Sequence, residues 1–411
     1  MSTVQTFKYR GRDASGKVVK GKVEATSEGA VVSRLGTMGI APITVAETKP
    51  GVGLNRDISL GGLGSGGRVK LKDLAVASRQ LATMIGAGLS LIRALNILSE
   101  QTESKPLSHS LEQVRNDIER GTGFSESLAK QPLVFPPLMI HMVRSGETGG
   151  FLDDALESIA KTFEADVKLR GTIKSALTYP VVVLIMAVLA VIGMLIFIVP
   201  VFEKMFKDLG SELPLPTQLL VIVSRNMIWL GPLLLVAAIG FTVWWRANKH
   251  KESVRRLVDP WKLKLPVFGK LFTKVAVARF SRNLSTMIGA GVPIMQALGI
   301  VGETSGNWVV EDALRKVQDS VRKGNTIAAP LAMAPVFPSM VTQMISVGED
   351  SGSLEPMLEK VADFYDEEVQ STTEALTALI EPLMIAFIGI VIGGMIVALY
   401  LPIFSIMGAV K

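Results

Sequence analysis

The sequence predicts a mainly α, polytopic membrane protein. It has three transmembrane helices, two homologous cytoplasmic helical-bundle domains and a small N-terminal ββαβ module. Three observations predict this. Three long stretches carry no charged residue, a block from the first half recurs in the second, and residues 1–50 have a different pattern from the rest. Hydrophobic residues make up 48% of the 411 and charged residues only 19%, which is apolar for a soluble chain.

Residues 1–50 come first. "FKYRGRD" and "KVVKGKVEA" read as two strands around the turn "DASG" (Asp13 to Gly16), since short β-rich runs bounded by Gly, Asp and Ser are hairpin signals. "SEGAVVSRLGTMG" from Ser27 reads as a short helix and "PITVAE" from Pro42 as a third strand. The opening residues lack the apolar core of a signal peptide, so the N-terminus is expected in the cytoplasm. Residues 51–69 then have the Gly-rich composition of a tether. They do not read as a phosphate-binding loop, because no Gly-Lys-Ser/Thr follows and no apolar strand leads in.

Residues 70–174 form the first helical domain. Leu81, Ile85, Gly88, Ile92 and Leu95 recur at spacings of four and three, one apolar stripe of a helix. Gly86 and Gly88 either admit a close neighbour or break this helix. A break is favoured, since glycine costs about 1 kcal/mol in a helix interior. Phe135-Pro136 suits a helix start, where proline's missing N–H is harmless.

The first uncharged run, residues 175–202, is long enough to span, as about 20 helical residues cross a bilayer. Residues 203–223 are an outward-facing loop and 224–246 the second span. The second domain follows at 247–379, the third span at 380–403 and an outward-facing C-terminus at 404–411. Tyr179, Trp244, Trp245 and Tyr400 lie near span ends, as interfacial aromatics do. Orientation follows from lysine and arginine. The segment from Arg246 to Lys274 carries nine of them against Glu252 and Asp259, which places it on the cytoplasmic side. The net charge of +6 is thus largely juxtamembrane, attracted to anionic lipid. Nucleic acid is not a predicted partner, because no binding motif accompanies the charge.

The repeat ties these elements together. "SRQLATMIGAGLSLIRALNIL" (78–98) matches "SRNLSTMIGAGVPIMQALGIV" (281–301), and "VFPPLMIHMVRSGETGGFLDDAL" from Val134 matches "VFPSMVTQMISVGEDSGSLEPML" from Val336. The offset is 203 in the first block (78 to 281) and 202 in the second (134 to 336), so one residue is lost in a loop between them. Pro180 pairs with Pro382, and Pro200 with Pro402. The repeating unit is therefore a domain plus the span after it. The second span is the insert that brings the chain back to the same side.

Chemistry is sparse. There is no cysteine, so disulfide and thiol chemistry is excluded. His109, His141 and His250 are scattered without ligand spacing. No nucleophile-elbow, Walker or zincin pattern appears, so no catalytic residue, cofactor or enzymatic activity is predicted. The uncharged runs 175–202, 226–245 and 382–410 hold no Asp, Glu, Lys, Arg or His, which argues against a transporter. Two features stand out. Both repeats contain Gly-Glu-x-x-Gly-x-Leu, at Gly146-Glu147 and Gly348-Glu349. One reading is a helix C-cap at Gly146 or Gly348 followed by a new N-cap. The other makes Glu147 and Glu349 exposed contacts for a partner or a cation. Gly389 and Gly393 form a GxxxG pair in the third span, a close-packing face for a helix of the same chain, an oligomer or a client.

The duplicated "RQLATMIGAGLSLIRAL" and "RNLSTMIGAGVPIMQAL", each followed by "VFP…GE..G.L" and a span, resemble the type II secretion system F family over nearly the whole chain. This is the polytopic platform of type IV pilus assembly and type II secretion. The resemblance implies residence in the cytoplasmic (inner) membrane and contact with a cytoplasmic assembly or retraction ATPase. It also implies pilin or pseudopilin clients, other inner-membrane assembly proteins as partners, and a homo-oligomer, a dimer. A divalent cation at the first cytoplasmic domain is a family expectation for which Glu147 is the weak candidate. The alternative reading is an oligomeric channel or transporter subunit.

Overall fold

The computed structural model describes residues 5–12, 18–25, 28–37, 41–47, 69–208, 213–249 and 251–409. It divides into two compact units, residues 1–66 and 67–411. The expected turn at 13–16, and the tether at 51–69 apart from Val69, lie outside the described residues.

The first unit runs β1 (Gln5–Arg12), β2 (Val18–Ala25), α1 (Glu28–Thr37) and β3 (Ala41–Glu47). The sheet order is β2-β1-β3, all antiparallel, with Gln5 opposite Ala25 and Phe7 opposite Glu47. A bulge at Arg10/Gly11 shifts the β1–β3 register and sets Gly11 opposite Pro42. Proline has no amide to give the ladder, so it is tolerated at such an irregular edge. Helix α1 buries Val31 and Leu35, four residues apart and so on one face.

The second unit is helical throughout its described residues. The first repeat contains α2 (Leu71–Gly86), α3 (Leu91–Gln101), α4 (Lys105–Glu119), α5 (Phe124–Ala129), α6 (Pro137–Gly149) and α7 (Leu152–Gly193). A π-helical turn at Met194–Ile198 joins α7 to α8 (Val199–Asp208). After α9 (Leu215–Asn248) and α10 (Glu252–Lys264) comes the second repeat. It consists of α11 (Phe268–Gly289), α12 (Ile294–Thr304), α13 (Trp308–Arg322), α14 (Ala328–Ala332), α15 (Ser339–Ser351) and α16 (Leu354–Ala409). Each helix from α2 to α7 thus has its counterpart from α11 to α16. The offset stays at 203 up to Pro132 and Pro335 and falls to 202 at Val134 and Val336. Leu133, 79% exposed, is the residue without a counterpart.

The glycine junctions are breaks. Gly88 and Gly291 have φ of 83° and 68°, a left-handed conformation that glycine adopts without steric cost. The break corrects the predicted stripe. It resets the helical phase, so Ile92 is 40% exposed while Ala94, Leu95 and Leu98 are buried. Pro136 and Pro338 are the N-cap residues of α6 and α15. One apolar core runs through both repeats, from Leu74 and Leu156 to Leu284 and Leu358.

Three helical segments are long and apolar enough to cross a membrane, within Leu152–Asp208, Trp229–Asn248 and Leu354–Phe404. The expected loop at 203–223 is corrected in part. Helix α8 continues to Asp208 and α9 begins at Leu215. The expected C-terminal tail from 404 is likewise helical to Ala409.

Candidate functional site: the repeated helix junction and the membrane cleft

The Gly-Glu-x-x-Gly-x-Leu segment is a junction in which each repeated residue has a structural task. Helix α6 does not stop at Gly146. It ends at Gly150, φ 78°, and α15 ends at Gly352, φ 67°. The amide of Phe151 returns to the Gly146 carbonyl at 3.0 Å, and that of Ser353 to the Gly348 carbonyl at 2.8 Å. This is the closing bond of a glycine-terminated helix, and it moves the expected C-cap from Gly146 and Gly348 four residues onward. Gly146 and Gly348 are instead where the next helix comes closest. A Cβ on Gly146 would sit 2.7 Å from the Ala155 Cβ, and one on Gly348 would sit 2.9 Å from the Leu354 Cα.

Glu147 and Glu349 reach away from their own helices to cap another. The two Glu147 oxygens accept from the amides of Phe124 at 2.7 Å and Ser125 at 3.1 Å. Glu349 accepts from the amides of Ile327 at 2.9 Å and Ala328 at 3.3 Å. These are the first turns of α5 and α14, which have no local side-chain cap and leave amides to be satisfied. Burial would raise the Glu147 carboxyl. Hydrogen bonds from Ser125 and Phe124, with Arg144 nearby, outweigh it and hold the group below its usual range.

The surroundings of Glu147 do not fit a cation. They offer N–H donors and an arginine, and the described residues contain no group of three or more His, Asp or Glu placed to share a metal.

Inside each repeat an arginine of the first helix clamps the last. Arg79 bonds Glu157 at 2.5 Å and Glu164 at 2.7 Å. Arg282 bonds Asp363 at 2.9 Å and Asp366 at 2.7 Å. Hydrogen bonds to Arg79 depress the Glu157 and Glu164 carboxyls. Burial raises Asp366 against the opposing pull of Arg282.

The repeats meet through α6 and α7 of the first and α11, α12 and α16 of the second, with Leu169 and Val369 in one buried cluster. Ser145 donates to the Ala290 carbonyl at 2.6 Å, and the Thr162 and Thr286 hydroxyls lie 3.0 Å apart. Arg279 bonds Asp166 at 2.9 Å, and Gln296 lies 2.9 Å from His141 Nδ1. Burial, with Arg144 adding, lowers the His141 pKa.

Among the apolar segments, α7, α9 and α16 enclose a cleft of about 1000 Å³, lined by residues such as Leu184, Val191, Leu235, Phe387 and Val391. Ser224 donates to the Leu195 carbonyl in the π-helical turn, and Thr217 to the Ala398 carbonyl. Gly389 and Gly393 do not line this cleft, and a Cβ on either would meet nothing within 4 Å. Among the described residues, no other helix comes that close to them.

Residues 77–200 and 280–402 each match the family model described as type II secretion system (T2SS), protein F, and residues 1–46 match that of its N-terminal domain. The chain belongs to the type II secretion system protein F family. It is 44% identical to the type IV pilus assembly protein PilC of Thermus thermophilus, over 98% of this chain and 99% of that protein. It is 41% identical to PilC of Myxococcus xanthus, over 98% and 96%. The type II secretion system protein F of Xanthomonas campestris is 32% identical over 98% and 99%. The two matched stretches of the F-family model are the two repeats. With its three apolar helices, this member of the family is a multi-pass membrane protein.

The capping role of Glu147 and Glu349 leaves no local mark in the sequence, because their partners lie more than twenty residues upstream. In the structure neither Gly123 nor Ile327 supplies a side-chain cap to the helix it opens.

Proposed function

We propose that this chain is the cytoplasmic (inner) membrane platform of a type IV pilus or type II secretion machine. It couples a cytoplasmic assembly ATPase to the extraction and assembly of pilin or pseudopilin. The observation that carries this reading is the continuity of the last helix of each repeat. Helix α7 runs 42 residues and α16 runs 56, from domain core into apolar span without a break. At 1.5 Å per residue, α16 is a rod of about 84 Å. A displacement imposed on the helical domains is delivered to the membrane through two such rods rather than lost in loops.

Both repeats share one core, so they lie on the same side of the membrane. The basic segment after α9 supports the cytoplasm as that side, by the positive-inside rule. The C-terminus then lies outside. The chain is a scaffold without enzymatic activity, acting as a homo-oligomer beside other inner-membrane assembly proteins.

Deleting the gene should abolish surface pili or secretion while pilin persists in the membrane. Normal pili and secretion in the deletion strain would overturn the reading. Photocrosslinking from α4 or α13 should capture the ATPase.

A further inference from the structure

The contact between the repeats is one-sided. Ser145, Thr162 and Asp166 of the first repeat meet Ala290, Thr286 and Arg279 of the second. A two-fold relation would repeat every contact with the roles exchanged. That does not happen here. The positions equivalent to Ser145, Thr162 and Arg279 are exposed rather than covered. A Cβ on Gly291 would lie 3.5 Å from the Phe151 ring, whereas one on the equivalent Gly88 would meet nothing within 4 Å. Helix α16 does pack on α7, with Leu169 and Val369 in one buried cluster, but two faces remain open: α2–α3 on the first repeat, and α15 with the side of α16 turned away from α7 on the second.

Three positions on those open faces carry hydrophobic side chains where the closed interface uses polar ones, while Asp166 maps to Glu368, which pairs with Lys274. The repeat offsets map Ser145 to Val347, Thr162 to Phe364 and Arg279 to Val76. These are 55%, 44% and 49% exposed. All three lie in the helical domains rather than in the apolar spans. Exposed apolar groups clustered on matching faces mark a contact surface. In each repeat the domain precedes its span, so the operation relating the repeats keeps the membrane in register. Applied again, it carries a neighbour in the same bilayer onto the open face.

We propose that the α15–α16 face of one chain docks on the α2–α3 face of a second copy, repeating between chains the contact already made within one. Val347 then sits against Ala87, the position equivalent to Ala290, and Phe364 against Thr83. Such a contact is heterologous, and it makes a ring of chains where its rotation closes and an open array where it does not. It does not depend on which machine the chain serves.

The absence of cysteine makes the test direct. Two differently tagged full-length chains, one Ala87→Cys and the other Val347→Cys, are co-expressed and treated in membranes with a short bis-maleimide. A cross-linked pair carrying both tags is expected, with no product from either variant alone. A self-product of Ala87→Cys, or no mixed product, overturns the proposal. A Ser145→Cys/Ala290→Cys chain, linking internally, verifies the reagent's reach. As a second measurement, the purified full-length Val347→Asp/Phe364→Asp variant should have a smaller oligomer mass in detergent at unchanged melting temperature. An unchanged mass overturns the proposal as well.

Discussion

The Glu147 carboxylate caps the Phe124 amide at 2.7 Å, binding the end of one helix to the start of another in the same repeat. Glu349 repeats the arrangement at Ile327. An N-cap is worth about 1 kcal/mol, and solvent screening keeps this surface carboxylate from adding much more. Glu147→Ala should therefore lower stability by about 1 kcal/mol, and Glu147→Gln by less. The pH dependence has a definite sign. The folded-state pKa lies below the unfolded value, so the stabilisation is present above the ordinary glutamate pKa of about 4.3. It is lost as pH falls through the lower folded value. Thermal unfolding of the purified chain between about pH 6 and pH 3 should show a shallower acid loss in Glu147→Gln than in the parent.

Gly146 and Gly389 should respond in opposite ways to one added methyl group. At Gly146 the Cβ would lie 2.7 Å from the Ala155 Cβ, and relieving that overlap means separating α6 from α7. Gly146→Ala should cost about 1–3 kcal/mol, and Gly348→Ala a similar amount. Gly389 has open space, and alanine is the better helix former. Gly389→Ala should leave the melting temperature unchanged or raised. Thermal melts of the three variants in one detergent check the contrast.

The parts legible in the sequence were those written into spacing or duplication. The uncharged runs and the paired "MIGAG" segments are one-dimensional signals. Ile92 shows where such reasoning stops. It falls on the stripe with Leu81 and Leu95, yet the left-handed Gly88 between them rotates the following helix and leaves Ile92 exposed. Periodicity assumes an unbroken helix and cannot report a phase reset. Glu147 shows a second limit, because capping at a distance of more than twenty residues leaves no local pattern. The one-sided meeting of Thr162 with Thr286 is a third. Two similar sequences do not reveal whether they pack two-fold or head-to-tail.

Asp259 latches the basic helix that follows α9 onto the second repeat. It is 3% exposed, accepts the Trp308 amide at the start of α13 at 3.0 Å and bonds Lys262 at 2.8 Å. Arg255 lies 3.8 Å from it and pairs with Glu311 at 3.0 Å. Removing one member of so buried a set leaves a charge and an amide without partners, a loss of about 3 kcal/mol. Asp259→Ala should destabilise the chain by that order and expose the 250–267 segment to limited proteolysis. Asp319→Ala, at an exposed pair on α13, should change stability by less than about 0.5 kcal/mol.

Ser224 and Thr217 hold α9 between the other two apolar helices. The π-helical turn at Met194–Ile198 disturbs the regular hydrogen-bond ladder of its helix, and the Ser224 hydroxyl donates to the Leu195 carbonyl there. Thr217 does the same for Ala398 on α16. Both side chains are buried, so water does not replace either bond once it is removed. Measured interhelical hydrogen bonds in membranes contribute about 0.6–2 kcal/mol. Ser224→Ala and Thr217→Val should each cost about that much, and together they should free α9 from both neighbours. Spin labels at Trp229 and Phe387 should then report a broader distance distribution in the double variant than in the parent. The helical domains, whose core lies elsewhere, should keep their melting transition. A distribution as narrow as the parent's would mean that apolar packing around the cleft positions α9 without these two hydroxyls.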